Sequence, residues 1–149
     1  MRRRDRGRRD AAQWASNEYF ALRTFCRDGS TVTVPIWLAP AGGRLFGYTP
    51  SRSWKVRRIS RNSRVEVAAS DVHGVPFGAW CPGLARILGR GESRAAKRAL
   101  TAKYGRRFRF FRAVLLVSRP RRRGGRPVGL EITLDAGPSL PRQQRSPPT

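Results

Sequence analysis

The residues best suited to chemistry lie in the segment 47–67, which reads GYTPSRSWKVRRISRNSRVEV. An apolar strand is predicted to end at Thr49, and a short turn then leads to Ser53 at the start of a predicted helix. Free backbone N–H groups and the dipole at such a helix start favour an anion, and a Ser hydroxyl there can cap the helix or bind a phosphate oxygen. Lys55 and Arg58 lie three positions apart and share one helix face. This stretch is predicted to hold the phosphate of a cofactor.

The rest of the chain offers little chemistry of its own. It contains no Ser-His-Asp set, no cluster with metal-ligand spacing and no carboxylate pair, so we expect no metal and assign no catalytic residue. An enzyme without such groups needs a cofactor to carry the reaction. Asp71 and His73 are predicted to form a turn. Trp37 and Trp54 are predicted to pack in a core or a dimer interface, with a wall for a flat ring as the alternative.

The charge of the chain is extreme, at +23 over 149 residues. Sixteen Arg, three Lys and only five acidic residues lie between positions 13 and 118, so the basicity belongs to the folded part as well as to the ends. Such a surface attracts nucleic acid, anionic lipid or a multiply charged small molecule. With two cysteines at unrelated positions, no membrane-length apolar run and no signal peptide, a cytoplasmic setting is expected.

Composition divides the chain into a basic arm at residues 1–12, a folded domain at 13–134 and a tail at 135–149, both ends being predicted to be disordered. Six strands are predicted, at residues 18–27, 31–39, 44–49, 64–70, 75–88 and 128–134. Helices are predicted at 53–61 and 92–104, and periodicity leaves 108–118 open between helix and strand. Tight turns predict that the first three strands form an antiparallel meander, in which Pro35 marks an edge or a bulge. The fold class is mainly β, an antiparallel barrel with short inserted helices.

Five stretches together resemble a known family, and they occur in the order RDGSTVTVPIWLAPAGGRLFGYT, SWKVRRISRNSRVEVAASD, GLARIL, AKYG and VGLEITL. They resemble the pyridoxamine 5′-phosphate oxidase-like split-barrel flavoproteins, and most closely the branch that uses the deazaflavin coenzyme F420. The resemblance implies a six-stranded antiparallel split β-barrel, usually a homodimer, with the cofactor in a cleft at the dimer interface.

The resemblance also implies particular binding residues. The phosphate-binding segment of the family falls on Thr49, Ser53, Trp54 and Lys55, with Arg57 and Arg58 nearby. The strand that lies along the ring system falls on residues 32–37, with Val34 and Pro35 at its centre. One departure from the family pattern is that Asn62-Ser63 replaces the usual Asn-Pro or Asp-Pro before the next strand.

The expected function is that of an oxidoreductase that transfers hydride between F420 and a small unsaturated or quinone-like acceptor. F420 carries a phosphodiester and a polyglutamate tail, so it gains more than FMN from a cationic surface. Protonation of the product is expected from water or from Tyr48. The alternatives are an FMN enzyme or a haem-handling protein of the same fold, or a nucleic-acid-binding protein that uses the basic ends.

Overall fold

The computed structural model of the chain describes residues 14–117 and 126–135. The predicted basic arm, and the predicted tail after Asp135, lie outside the described residues. The strands are β1 (Tyr19–Phe25), β2 (Thr31–Ile36), β3 (Ala39–Ala41), β4 (Arg44–Pro50), β5 (Arg64–Ser70), β6 (Cys81–Ile87) and β7 (Pro127–Leu134). The helices are α1 (Trp54–Arg61), α2 (Ser93–Tyr104) and α3 (Arg106–Val117). None of these helices has both the length and the apolar character needed to cross a membrane.

The predicted fold class is confirmed, and the described residues form seven strands where six were predicted. The additional strand is β3, which lies where the end of one strand and the following turn were predicted. The long strand predicted at 75–88 is shorter, since β6 begins only at Cys81. The turn predicted before it is present, and there the Asp71 carboxylate accepts hydrogen bonds from the backbone N–H groups of His73 and Val75. The ambiguous segment after Gly105 is helical.

All strands form one antiparallel sheet in the order β2-β1-β5-β6-β7-β4-β3. The predicted meander is therefore wrong in its third strand: β4 pairs with β7 and not with β2. The edge strands β2 and β3 are separated along the chain only by Trp37 and Leu38, although they lie at opposite edges of the sheet. Because the three steps from Ile36 to Ala39 span at most about 11 Å, the sheet must curl until its edges approach each other. The result is a barrel that is open between β2 and β3.

Alternation of side chains along the strands produces two apolar layers. The barrel interior contains fully buried residues from three strands, β1, β5 and β7, namely Phe20, Leu22, Val65, Val67, Leu130 and Ile132. Trp14, in the helical turn that precedes β1, stacks on Phe20 with ring centroids 5.2 Å apart. The outer layer forms where α2 and α3 cover β3 and β4, and it includes Phe46, Leu100, Tyr104 and Phe108.

The C-terminal end of α2 is bonded to the link between the two sheet edges. The Lys103 ammonium donates to the carbonyl oxygens of Trp14, at 2.8 Å, and Leu38, at 2.7 Å. The Tyr104 hydroxyl contacts the carbonyl oxygens of Glu18, at 2.7 Å, and Leu38, at 3.0 Å. Burial lowers the pKa of Lys103 to about 8, against a smaller opposite effect of the Glu18 carboxylate. Burial also raises the pKa of the Tyr104 hydroxyl.

Gly83 in β6 allows the close approach of β7. A Cβ atom at this position would lie 2.7 Å from the carbonyl oxygen of Thr133. We expect Gly83→Ala to lower the free energy of unfolding by about 1–3 kcal/mol in urea titrations, because the strands must separate. Gly89→Ala is the matched control, since a Cβ there meets no atom within 4 Å and a change below about 0.5 kcal/mol is expected. Equal losses in the two variants would contradict the role of Gly83.

Lys103 should give the protein a distinctive pH dependence. Its pKa is about 8 in the folded state and 10.5 for an ordinary lysine, so the unfolded chain binds more protons between these two pH values. The free energy of unfolding contributed by Lys103 should therefore rise with pH above about 8. We expect the unfolding free energy of the native protein, minus that of Lys103→Met, to rise between about pH 8 and 9.5. This pH range lies below the one in which the tyrosines of the unfolded chain ionise. A difference that does not change with pH would contradict this assignment.

Candidate cofactor-binding site

The start of α1 is built by the turn that follows β4. The Ser53 backbone N–H donates to the carbonyl oxygen of Pro50 at 3.1 Å, which closes the turn. Ser53 itself is extended, and its hydroxyl accepts a hydrogen bond from the Val56 backbone N–H at 3.4 Å, so it is the helix N-cap. Val56 and Ile59 are buried and hold the helix against the barrel. Trp54 and Lys55 occupy the first two helical positions, whose N–H groups have no acceptor within the helix.

Lys55 reaches back from α1 over the end of β4. Its ammonium donates to the Thr49 hydroxyl at 2.9 Å, and Thr49 is only 2% exposed. Burial lowers the pKa of Lys55, and the nearby positive charge of Arg58 lowers it further. The site thus contains a partly desolvated cation in a fixed position.

Arg58 reaches in the other direction, to β1. Its Nε donates to the hydroxyl of the fully buried Thr24 at 2.6 Å. The Thr24 hydroxyl also lies 3.5 Å from the carbonyl oxygen of Val32 in β2, to which it donates. Nε is the only nitrogen of this guanidinium with a recorded hydrogen bond in the described part of the chain. The terminal Nη groups are therefore available for a ligand.

The predicted ring-binding strand β2 is an edge strand of the sheet, with β1 as its paired neighbour. Pro35 is exposed and pairs with Ala21 in a register that continues on both sides of it. Pro35 therefore marks an edge and not a bulge. Val34 is partly buried against the barrel interior.

The structure brings together four of the seven predicted binding residues. Thr49, Ser53 and Lys55 lie at the start of α1, and Arg58 lies about one turn farther along on the same face as Lys55. Val34 and Pro35 lie on β2, and hydrogen bonds from Arg58 to Thr24 and from Thr24 to Val32 connect the two groups.

The seventh residue, Trp54, has its indole 66% exposed, so only its backbone N–H faces the helix start. The Arg57 guanidinium lies 4.9 Å from the centre of the indole ring. Trp37 packs as predicted in the outer layer, stacked on Tyr104 at 4.7 Å. Tyr48 lies on the opposite face of β4 from Thr49 and contacts Phe108 edge-on at 5.7 Å, which separates it from Lys55.

Comparison with known proteins is informative only at the level of structure. No protein-family model matches the sequence, and no curated protein matches it. A structure described as a pyridoxamine 5′-phosphate oxidase from Listeria innocua superposes with a TM-score of 0.58 at 13% identity, covering 87% of this chain and 93% of that one. A structure described as an F420 reductase gives a TM-score of 0.57 at 18% identity, with coverage of 84% and 92%.

A FAD-binding protein from Mesorhizobium loti gives a TM-score of 0.59 at 18% identity, with coverage of 85% of this chain and 86% of that one. The chain has the split-barrel fold of pyridoxamine 5′-phosphate oxidase-like proteins. At these identities the likeness establishes the split barrel, and the cofactor has to be argued from the residues of this chain.

Sequence reasoning missed two residues of this split barrel. Thr24 was not predicted to have a role, although a hydroxyl on the core-facing side of an apolar strand is a signal for a buried polar contact. Arg23, the preceding residue, faces the other side of β1. It pairs with Glu66 at 3.3 Å, and its guanidinium lies 3.8 Å from the centre of the Trp80 ring.

The coupling between the two cations can be tested directly. We expect Arg58→Gln to raise the pKa of Lys55, because it removes the positive charge that lowers it. The chain has three lysines, so NMR titration of lysine labelled at Cε gives a spectrum simple enough to assign. Arg57→Gln removes the same charge from the exposed neighbouring position and is the control. An equal rise in both variants would show that general surface charge controls Lys55.

Proposed function

We propose that this split barrel is an oxidoreductase that binds coenzyme F420 and supports hydride transfer to a small unsaturated or quinone-like acceptor. The observation that carries the proposal is the pair of cations on α1. Lys55 and Arg58 are each held by a buried threonine hydroxyl and lie close enough for their charges to repel. An anion bound between them relieves that repulsion, so the pair is suited to the phosphodiester of the cofactor.

Several donors in the proposed site can share one phosphate. The Ser53 hydroxyl, the ammonium of Lys55 and the N–H groups of Trp54 and Lys55 lie at the helix start. Arg58, about one turn farther along on the same face as Lys55, adds its Nη groups. A charge-assisted hydrogen bond contributes about 1.5–3 kcal/mol. Two or three of them therefore account for much of a micromolar affinity, which corresponds to about 8 kcal/mol.

The ring system is proposed to lie along β2, beside Val34 and Pro35, in a cleft between two copies of the chain. Support for a homodimer comes from large apolar side chains that the single chain leaves exposed, namely Val75 at 59%, Phe77 at 66% and Leu84 at 53%. A cytoplasmic setting is part of the proposal, because Cys26 and Cys81 are not joined in a disulfide.

When bound, the deazaflavin supplies the hydride chemistry. The residues of this chain then have the tasks of binding and orientation: α1 holds the phosphate, and β2 positions the ring so that one face remains open to the acceptor. FMN is the alternative cofactor. The polyanionic tail of F420 favours F420, because the exposed arginines beyond the phosphate site can neutralise it.

The first test is a fluorescence titration of the purified protein with F420 and, in parallel, with FMN at physiological salt. We expect saturable binding of F420 and weaker binding of FMN. Lys55→Ala should weaken F420 binding at least tenfold, a loss of about 1.4 kcal/mol, because it removes a charge-assisted hydrogen bond.

Lys97→Ala is the matched control for this experiment, because it removes the same charge from α2, where Lys97 lies near the Tyr48 ring. An equal effect of the two lysine variants would remove the phosphate assignment. Binding of FMN alone would keep the site and change the cofactor. Absence of binding to both would refute the cofactor proposal.

A further inference from the structure

The outward face of α1 is not used by the proposed cofactor site. This face carries three exposed residues, Trp54, Arg57 and Arg61. At about 100° per residue, their side chains project within roughly a sixth of the helix circumference. The indole of Trp54 is 66% exposed, and the Arg57 guanidinium lies 4.9 Å from its ring centre. An exposed tryptophan flanked by arginines therefore forms a separate surface, which we call the Trp54 face.

The positive charge of the Trp54 face is not compensated by acidic residues. In residues 14–117 and 126–135, the ion-paired carboxylates are Glu18, Glu66, Glu92 and Glu131, and their partners are Arg107, Arg23, Arg86 and Arg44. Neither Arg57 nor Arg61 takes part in these pairs. The charges of this face are therefore available to an external anion.

The charge continues at the N-terminal end of α1. The Ser51 backbone N–H donates to the carbonyl oxygen of Arg126 at 2.9 Å, so Arg126 lies beside the turn that starts the helix, and its side chain is exposed. Exposed basic residues thus lie near both ends of α1. This arrangement matches a linear polyanion better than a single phosphate group.

We infer that the Trp54 face binds single-stranded nucleic acid, with a base stacked on the indole and the neighbouring phosphates paired with Arg57 and Arg61. Proteins that bind single strands combine a cationic track with aromatic rings on which bases stack. A membrane surface fits less well, because a helix that binds lipid needs an apolar face. The apolar residues of α1, Val56 and Ile59, are buried in the protein.

This inference goes beyond the proposed cofactor site, since different groups carry it. Lys55 and Arg58 are directed to Thr49 and Thr24, whereas the Trp54 indole and the Arg57 guanidinium face solvent. Binding of nucleic acid can therefore be measured without any cofactor.

The test is fluorescence anisotropy with end-labelled 20-nucleotide probes, namely single-stranded oligo-dT and oligo-U, and a DNA duplex of the same length. We expect the single strands to bind more tightly than the duplex. Trp54→Ala should weaken single-strand binding about tenfold without changing its salt dependence, because it removes stacking and no charge. Trp54→Phe should restore most of the affinity.

Charge is tested with two matched double variants. Arg57→Gln with Arg61→Gln should make the slope of log affinity against log salt shallower by about 1.4, since each phosphate contact to a single strand contributes about 0.7. Arg94→Gln with Arg98→Gln removes two exposed arginines at the same spacing on α2 and should have a smaller effect.

Three outcomes would overturn the inference: unchanged binding by Trp54→Ala, equal losses in the two double variants, or a preference for the duplex. Binding to vesicles of phosphatidylserine that depends on Trp54, with no binding to the oligonucleotides, would assign the face to a membrane and also overturn it.

Discussion

The two-residue link between β2 and β3 is the constraint on which the rest of the structure depends. Trp37 and Leu38 join opposite edges of one sheet, so the sheet can form only if it is curled. The carbonyl oxygen of Leu38 accepts hydrogen bonds from Lys103 and Tyr104, and the ring of Trp37 stacks on Tyr104. The end of α2 therefore holds the link in place, and the curled sheet brings β1, β2 and β4 into the positions that the candidate site requires.

Two buried threonines connect this barrel to α1. Thr49 from β4 and Thr24 from β1 each accept a hydrogen bond from a cation of the helix, so Lys55 and Arg58 are fixed from two different strands. A buried hydroxyl that lacked such a partner would be costly. The same contacts hold two positive charges near one another, and the proposed phosphate site rests on this arrangement.

The faces of the short helix α1 carry different types of side chain. Val56 and Ile59 attach it to the barrel, Lys55 and Arg58 turn toward the threonines, and Trp54 faces solvent with an arginine against its ring. Glutamate carboxylates elsewhere in the described residues already form ion pairs with arginines. Glu131, for example, lies near both Arg44 and Arg86. The positive charge of the protein is therefore not evenly neutralised, and α1 carries a part of it that remains available to ligands.

Local chemistry in the sequence was enough to predict most of the elements. Ser53 followed by SWKVRRISR predicts a capped helix, and three-residue spacing places Lys55 and Arg58 on one face, because both properties depend on neighbours within one or two turns. Alternating apolar residues and turn signals likewise predicted a mainly β fold. The family resemblance added the split barrel, which the structural comparison supports.

Only the tertiary structure decided which strands are neighbours and which distant groups meet. The pairing of β4 with β7 contradicted the predicted meander, because a turn signal defines where a strand ends and not which strand lies beside it. Thr24 is 34 positions from Arg58, and no local pattern indicates their hydrogen bond. The sequence by itself determined the helix, its cap and its cations. The curled sheet determined what those cations contact, because contacts between distant segments arise only when the whole core packs.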